Sequence, residues 1–204
     1  PETEIFSKRK TLYGLYQARD FIRQANEVIL VEGYLDCIKL YQANIKNVVA
    51  SLGTAFTREQ AQLLGRYAEE IVILYDGDEA GQRETLRALD ILTAEGFNVF
   101  VVTLPGGKDP DEYLDSAEKE EFLQYIKNNR INHIEFKVNR YINTEKELNL
   151  ESKIRIIRSL ESDIKLVNSE LRRDYYVKLL ARRLRVEENL IYREINSPRS
   201  EERH

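Results

Sequence analysis

The stretch EIVILYDGDEAG, residues 70–81, indicates the fold of the first half of the chain. After its initial glutamate it runs apolar without interruption, as is typical of a parallel strand that is buried on both faces. The apolar run ends abruptly at Asp76-Gly77-Asp78, and a helical pattern follows as far as Gly96, a glycine of the kind that ends helices. We therefore predict a buried strand, an acidic turn and a helix in succession.

The same alternation of strand and helix continues on both sides of this stretch. Further strands are predicted at 27–31, 46–51 and 97–104, and helices at 34–43, 57–70 and 80–95. Such alternation predicts a parallel sheet that helices cover on both faces through right-handed crossovers. We predict a four-stranded sheet of order 2-1-3-4, in which the first and third strands are neighbours and their acidic ends can meet.

Beyond about residue 110 the pattern becomes helical. Residues 115–195 contain stretches with helical spacing and no convincing strand, so we predict a C-terminal helical bundle. The predicted fold class is therefore α/β followed by all-α. We place the sheet domain at 25–115 and the helical domain at 116–204.

Composition limits the possible classes of protein and site. The 204 residues are 42% hydrophobic, as expected for a globular chain. Cys37, His133 and His204 cannot supply the ligands of a zinc site, and a single cysteine is typical of the reducing cytoplasm. No apolar run approaches the roughly 20 residues that a membrane span requires. Any metal ion must therefore be bound by oxygen ligands.

Charge is distributed unevenly along the chain. Residues 1–150 carry 18 Lys and Arg against 25 Asp and Glu, whereas residues 151–204 carry 13 against 10. The acidic first part argues against a protein that simply coats nucleic acid, because phosphates need cationic partners. The acids of the first part are either a solvated surface or ligands for cations.

Three of the four predicted strands end in acidic residues. The first ends at Glu32, the third at Asp76 and Asp78, and the fourth leads into Asp109 and Asp111. The carboxyl ends of parallel strands lie at one edge of a sheet, so these five side chains can meet in one crevice. A single D-G-D after a strand is often only a polar turn, but the equivalent positions of all five acids favour a metal site.

The chemistry of this acid cluster favours divalent cations. Five carboxylates in one crevice repel one another unless cations compensate their charge. Oxygen ligands favour Mg²⁺ or Mn²⁺, and two such ions about 4 Å apart can stabilise both sides of a phosphoryl displacement. We therefore predict two or more Mg²⁺ or Mn²⁺ ions in the crevice.

Four segments resemble, in order and spacing, the TOPRIM domain of bacterial DNA primases of the DnaG type. They are VEGYLD (31–36), ASLGTAFT (50–57), LYDGDEAG (74–81) and LPGGKDPDEYL (104–114). A glutamate followed by D-x-D is shared with topoisomerases and some nucleases, whereas the segments ASLGT and KDPDEYL narrow the resemblance to primases. Residues 1–24 resemble the end of the subdomain that precedes TOPRIM in the primase catalytic core, and the helical half resembles its C-terminal subdomain.

The resemblance implies roles for the five acids. The implied metal ligands are Asp76, Asp78, Asp109 and Asp111. Glu32 is implied either to complete the metal site or to assist proton movement at the attacking hydroxyl.

The resemblance also implies residues that contact the nucleotide. Lys8 matches a basic residue that the family places near the incoming nucleotide, where a cation would offset triphosphate charge. Without the resemblance, Lys8 is an exposed lysine in a basic cluster. Gly33 and Gly53 would allow the backbone to approach the nucleotide closely, or they are ordinary turn glycines.

The implied activity is synthesis of short RNA primers on single-stranded DNA by metal-dependent nucleotidyl transfer. The implied partners are ribonucleoside triphosphates, the template and primer strands, and the replicative helicase, which we expect to bind a domain outside this sequence. The expected location is the replication fork in the bacterial cytoplasm. The zinc-binding module and most of the template-binding subdomain of the family are not found in this sequence, so we expect the chain alone to prime weakly or not at all.

Other functions use the same residues. TOPRIM nucleases and topoisomerases cleave phosphodiesters with the same acids, and a non-catalytic regulatory pocket for phosphorylated nucleotides is a further alternative. In the helical half, the arginines of ELRRDYYVKLLARRLRV (170–186) either contact template or primer, or form a solvated face beside nearby acids.

Overall fold

The computed structural model describes residues 7–51, 55–116, 118–167 and 169–197. The chain divides into two compact units, Pro1–His133 and Ile134–His204. Within the described ranges, no helix is long and apolar enough to cross a lipid bilayer.

A five-stranded sheet of order β2-β1-β3-β4-β5 forms the centre of the first unit. The strands are β1 (Glu27–Val31), β2 (Val48–Ala50), β3 (Glu70–Leu74), β4 (Asn98–Val101) and β5 (Ile131–Asn132). Strands β1 to β4 are parallel, and their predicted order is confirmed. In β1 and β3 every residue after the first glutamate is buried, which explains their uninterrupted apolar sequences.

The short strand β5 corrects the expectation that no strand follows residue 115. It pairs antiparallel with β4 at the edge of the sheet. Two residues are too few to show the alternation from which a strand is predicted. Arg130, just before β5, donates hydrogen bonds of 2.9 Å to both Glu27 and Glu70, so an ion pair links this edge to the beginnings of β1 and β3.

In the described part of the first unit, six α-helices connect or cover the strands. They are α1 (Leu15–Ala25), α2 (Tyr34–Gln42), α3 (Arg58–Leu64), α4 (Glu79–Ala94), α5 (Pro110–Ser116) and α6 (Lys119–Asn129). Leu40 of α2 and Phe122 and Ile126 of α6 belong to one apolar cluster with side chains of the sheet. This cluster fixes the position of α2, which follows the acidic end of β1.

The described residues of the second unit, 134–167 and 169–197, form helices joined by turns and contain no strand, as predicted. Its helices are α7 (His133–Thr144), α8 (Leu150–Ser159), α9 (Glu161–Leu166), α10 (Glu170–Leu184) and α11 (Glu188–Asn196). Their buried faces form a separate core around Leu160, Leu180 and Ile191. Beside this core, the buried Lys137 ammonium donates to both oxygens of the buried Asp163 carboxylate, at 2.7 and 2.8 Å.

Candidate functional site

The pairing of β1 with β3 brings two of the predicted acids to the same edge of the sheet. The strands run parallel, with Val31 opposite Leu74 at their carboxyl ends. Glu32 follows β1 directly, and Asp76 follows β3 after one further residue. The structure therefore places both acids where the sequence predicts them.

Two glycines bring the loop after β4 against the turn after β3. A Cβ atom on Gly77 would lie only 2.9 Å from the Cα of Gly107. Gly107 has a φ of +71°, a left-handed conformation that glycine adopts without steric cost. The two loops can therefore touch, which brings Asp109 towards Asp76.

Two of the predicted metal ligands also begin helices. Asp78 Oδ1 accepts a 2.7 Å hydrogen bond from the backbone N–H of Gly81 in the first turn of α4. Asp109 Oδ1 accepts a 2.7 Å hydrogen bond from the N–H of Glu112 in the first turn of α5. Such contacts stabilise carboxylates at helix N-termini. They fix both side chains and leave a second oxygen on each carboxylate for other contacts.

The pKa values of Glu32 and Asp76 show that both acids interact electrostatically with their acidic neighbours. Burial raises the pKa of Glu32 above its ordinary value, and the charges of Asp76 and Asp78 raise it further. Burial also raises the pKa of Asp76, with further contributions from Asp109 and Asp78. The neighbouring carboxylates therefore make Glu32 and Asp76 harder to ionise, so the crevice favours cations that compensate the charge.

Asp36 is a member of this cluster that the sequence analysis did not single out. It lies in the first turn of α2 and is 8% exposed. Burial raises the pKa of Asp36 to about 6, and the charges of Asp109 and Asp76 raise it further. Hydrogen bonds from the N–H groups of Gly33 and Asp111 lower it, but by less. The sequence feature that could have identified Asp36 is a carboxylate four residues after Glu32. Because α2 begins at once, its first turn directs this side chain back towards the end of β1.

Asp111 lies in a different environment from the other predicted ligands. The Lys39 ammonium is 3.2 Å from Asp111 Oδ1, and it also pairs with Asp115. Asp111 therefore neutralises a lysine between α2 and α5, while its backbone N–H group bonds to Asp36. Its predicted role as a metal ligand stays a prediction.

The predicted nucleotide-binding residues lie at three different places. Lys8 belongs to a short 3₁₀ helix, and its carbonyl accepts a 2.9 Å hydrogen bond from the side chain of Gln60 in α3. Gly33 precedes α2, where a Cβ atom would lie 2.8 Å from Asp36 Oδ2. Gly53 lies outside the described residues.

The donor set fits a hard cation that is only partly bound by protein. Among the described residues, no three His, Cys, Asp or Glu side chains are placed so that together they could hold one metal ion. Mg²⁺ usually keeps several waters and binds one or two carboxylates together with substrate phosphates. The carboxylate cluster fits this kind of binding, because its raised pKa values show negative charge that the protein itself does not compensate.

Two family models match the chain, one in each unit. A model described as Toprim-like matches residues 29–114, and a model described as the DnaB-helicase binding domain of primase matches residues 134–189. The first match covers the sheet and the acidic crevice. The second falls within the helical unit, although the helicase contact was expected in a domain outside this sequence.

Similar proteins are DNA primases. A DNA primase of Clostridium acetobutylicum is 41% identical over 94% of this chain. The chain belongs to the bacterial DnaG-type primase family. The solved E. coli primase catalytic core is 32% identical with a TM-score of 0.79, over 92% of this chain and 60% of that chain. A DNA primase domain from Pseudomonas aeruginosa is 30% identical with a TM-score of 0.79, over 96% of this chain and 62% of that chain.

The matches locate the chain within the longer proteins of this family. It spans 32% of the length of the Clostridium primase. A further match is a DnaG primase catalytic domain solved bound to single-stranded DNA, 32% identical with a TM-score of 0.78, over 89% of this chain and 59% of that chain. The chain therefore corresponds to part of the primase catalytic core.

Proposed function

We propose that the chain provides the nucleotidyl-transfer centre of a primase that synthesises short RNA primers on single-stranded DNA. The observation that carries the proposal is the cluster of Glu32, Asp36, Asp76, Asp78 and Asp109 at the carboxyl edge of a parallel sheet. Membership of the primase family supports it. So does the similarity to a DnaG catalytic domain that binds single-stranded DNA.

The cluster would bind Mg²⁺ or Mn²⁺ together with the phosphates of a ribonucleoside triphosphate. Glu32, Asp76 and Asp78 would supply the oxygen ligands. Divalent ions held by these ligands would supply a Lewis acid that lowers the pKa of the attacking hydroxyl and stabilises the departing pyrophosphate. Asp36 Oδ2 accepts a 3.2 Å hydrogen bond from the Gly33 N–H group, and this contact stabilises the turn that positions Glu32. Lys8 would place a cation near the triphosphate.

The test is primer synthesis by a primase that contains this sequence. Asp76→Asn and Glu32→Gln should each reduce incorporation of labelled ribonucleotides on a single-stranded template by about 100-fold or more, because charge stabilisation of the transition state is lost. Glu120→Gln, at an exposed position in α6, is the matched control and should leave synthesis unchanged. Unaltered synthesis by Asp76→Asn would contradict the proposal.

The same preparation separates the proposed function from the two alternatives. Wild-type protein that nicks or relaxes supercoiled DNA without polymerising ribonucleotides would favour a TOPRIM nuclease or topoisomerase. Protein that binds nucleotides and does neither reaction would favour a regulatory pocket.

We also propose that the helical unit contributes to contact with the replicative helicase. The support is the match of residues 134–189 to a helicase-binding family model. The whole chain, immobilised on a biosensor surface, should bind the helicase with a saturable signal. Binding that saturates only with longer primase chains, and never with this one, would contradict the proposal.

A further inference from the structure

A cavity of about 260 Å³ lies between α1 and α2 in the first unit. Its walls and rim are formed by Tyr13, Gly14, Gln17, Ile38, Tyr41 and Gln42. The buried side chain of Cys37 forms its floor. None of the acids of the crevice lines it, so this cavity is separate from the carboxylate cluster.

The backbone and an ion–ring contact hold the two tyrosine walls. The N–H and carbonyl groups of Tyr13 pair with Ala50 of β2 at 2.9 and 3.1 Å. The Lys46 ammonium lies 3.7 Å from the centre of the Tyr41 ring and donates a 3.1 Å hydrogen bond to the Tyr41 carbonyl. These contacts fix both tyrosines, so binding of a ligand would require little ordering of the cavity walls.

A glycine permits the close approach of the two helices that enclose the cavity. Gly14 begins α1 with a φ of +80°, and a Cβ atom there would lie 2.9 Å from Cys37 Sγ. A residue with a side chain at this position would be strained by the positive φ, and its Cβ atom would crowd the Cys37 thiol.

The polar groups at the rim are available to a ligand. Gln17 and Gln42 are exposed, and within the described part of the chain neither side-chain amide makes a hydrogen bond. Each amide offers a donor and an acceptor side by side, the arrangement with which glutamine recognises the edge of a base. The tyrosine rings offer surfaces for stacking, an interaction of about 1 to 3 kcal/mol per base in proteins that bind single strands.

We propose that this cavity binds a single nucleobase. Its volume is below the roughly 300 to 1,000 Å³ typical of sites for drug-sized ligands, so it suits one ring system and excludes a whole nucleoside triphosphate. The base stacks on Tyr13 or Tyr41, and the amides of Gln17 and Gln42 bind its edge. The Lys46 ammonium beside Tyr41 provides a cation for an attached phosphate.

The cavity lies close enough to the crevice for its ligand to belong to the proposed reaction. The ring of Tyr13 is 6.0 Å from the ring of Tyr34, centre to centre. Tyr34 is 53% exposed and follows Glu32 by two residues. The source of the base is therefore either a single strand that passes the crevice or a free nucleotide. This assignment of the source rests on the proposed function, whereas binding of a base does not.

The test is photo-cross-linking with 5-iodouracil, followed by peptide mass spectrometry. One arm uses an oligo(dT) strand that carries a single 5-iodouracil, and the other uses 5-iodouridine monophosphate. Cross-links at Tyr13 or Tyr41 are expected in at least one arm. Reaction with the oligonucleotide alone identifies a strand as the source, and reaction with the monophosphate identifies a free nucleotide.

Surface variants test the role of the amides without altering the core. The double variant Gln17→Ala/Gln42→Ala should reduce the yield of these cross-links at least about fivefold, which is the loss of one hydrogen bond or more. Gln24→Ala, exposed on the same helix α1, is the control and should retain the full yield. Circular dichroism should show that all variants are folded.

Cross-links confined to other residues, or a yield that the double variant leaves unchanged, would overturn the proposal. The assay needs neither divalent ions nor polymerisation. Its failure would therefore leave the primer-synthesis proposal intact, and loss of that proposal would leave base binding intact.

Discussion

Replacement of Asp36 by Asn is expected to stabilise the metal-free protein at neutral pH. Asp36 is buried beside Asp76 and Asp109, and its pKa is raised from 3.8 to about 6. Asparagine keeps an oxygen that can accept the hydrogen bond from the Gly33 N–H group, but it carries no charge. Asp36→Asn therefore removes the repulsion and retains an acceptor for the Gly33 N–H group.

The size and sign of the effect follow from the raised pKa of Asp36. A change of one pKa unit corresponds to about 1.4 kcal/mol, so ionised Asp36 can destabilise the fold by at most about 3 kcal/mol. Screening by solvent in the crevice reduces this destabilisation to about 1 to 2 kcal/mol. Because the folded-state pKa is raised, the carboxyl group costs nothing below about pH 4, where both states are protonated. The destabilisation by the ionised carboxylate grows as the pH rises from about 4 through about 6 and is complete above about pH 7.

Urea unfolding followed by circular dichroism measures this difference. The free energy of unfolding of Asp36→Asn relative to wild type should rise by about 1 to 2 kcal/mol between about pH 4 and about pH 7.5. Glu120→Gln, at an exposed position of α6, is the control, and the pH-dependent change for Asp36→Asn should exceed the change for this variant. Mg²⁺ should reduce the advantage of Asp36→Asn, because a cation compensates the same charge. A pH-independent difference, or a variant less stable than wild type at neutral pH, would refute the reasoning.

The structure supports further predictions. Gly81→Ala should destabilise the protein by about 1 to 3 kcal/mol, because its Cβ would lie 2.2 Å from the Asp76 carbonyl oxygen, whereas the matched change Gly65→Ala meets no atom closer than 3.5 Å. Thermal unfolding compares the two, and equal midpoints would contradict the predicted clash. Lys137→Met should cost about 3 to 5 kcal/mol by removing the ammonium that pairs with the buried Asp163 carboxylate, and adding Asp163→Leu should restore most of the loss. Chemical unfolding of the single and double variants checks this, and a double variant no more stable than Lys137→Met would count against it.

The sheet was predictable because its signals are local and strong. The buried runs that became β1 and β3 have no polar residue after their first glutamate, and an acid follows each of them closely. The strand order followed from the requirement that Glu32 and Asp76 meet, and the parallel pairing of β1 with β3 satisfies it. Topology and the position of the crevice therefore follow from hydrophobic pattern and strand ends.

Other features depend on contacts between distant residues and could not be predicted in this way. Asp36 resembles an ordinary residue of an amphipathic helix, and its burial depends on the packing of α2 against the sheet. The contact of Lys39 with Asp111 joins helices that are far apart in sequence. Strand β5 is defined only by its neighbour β4. The cavity between α1 and α2 requires both helices to be in place.

Binding of Mn²⁺ to the acidic crevice is the most direct test of the central claim. Electron paramagnetic resonance measures free Mn²⁺ during titration of the wild-type chain, Asp76→Asn and the control Glu120→Gln, with and without a ribonucleoside triphosphate. We expect the nucleotide to strengthen binding to wild type and control alike, and Asp76→Asn to bind Mn²⁺ at least about tenfold more weakly, a loss of about 1.4 kcal/mol. Equal affinity of all three proteins would show that these carboxylates do not hold the metal.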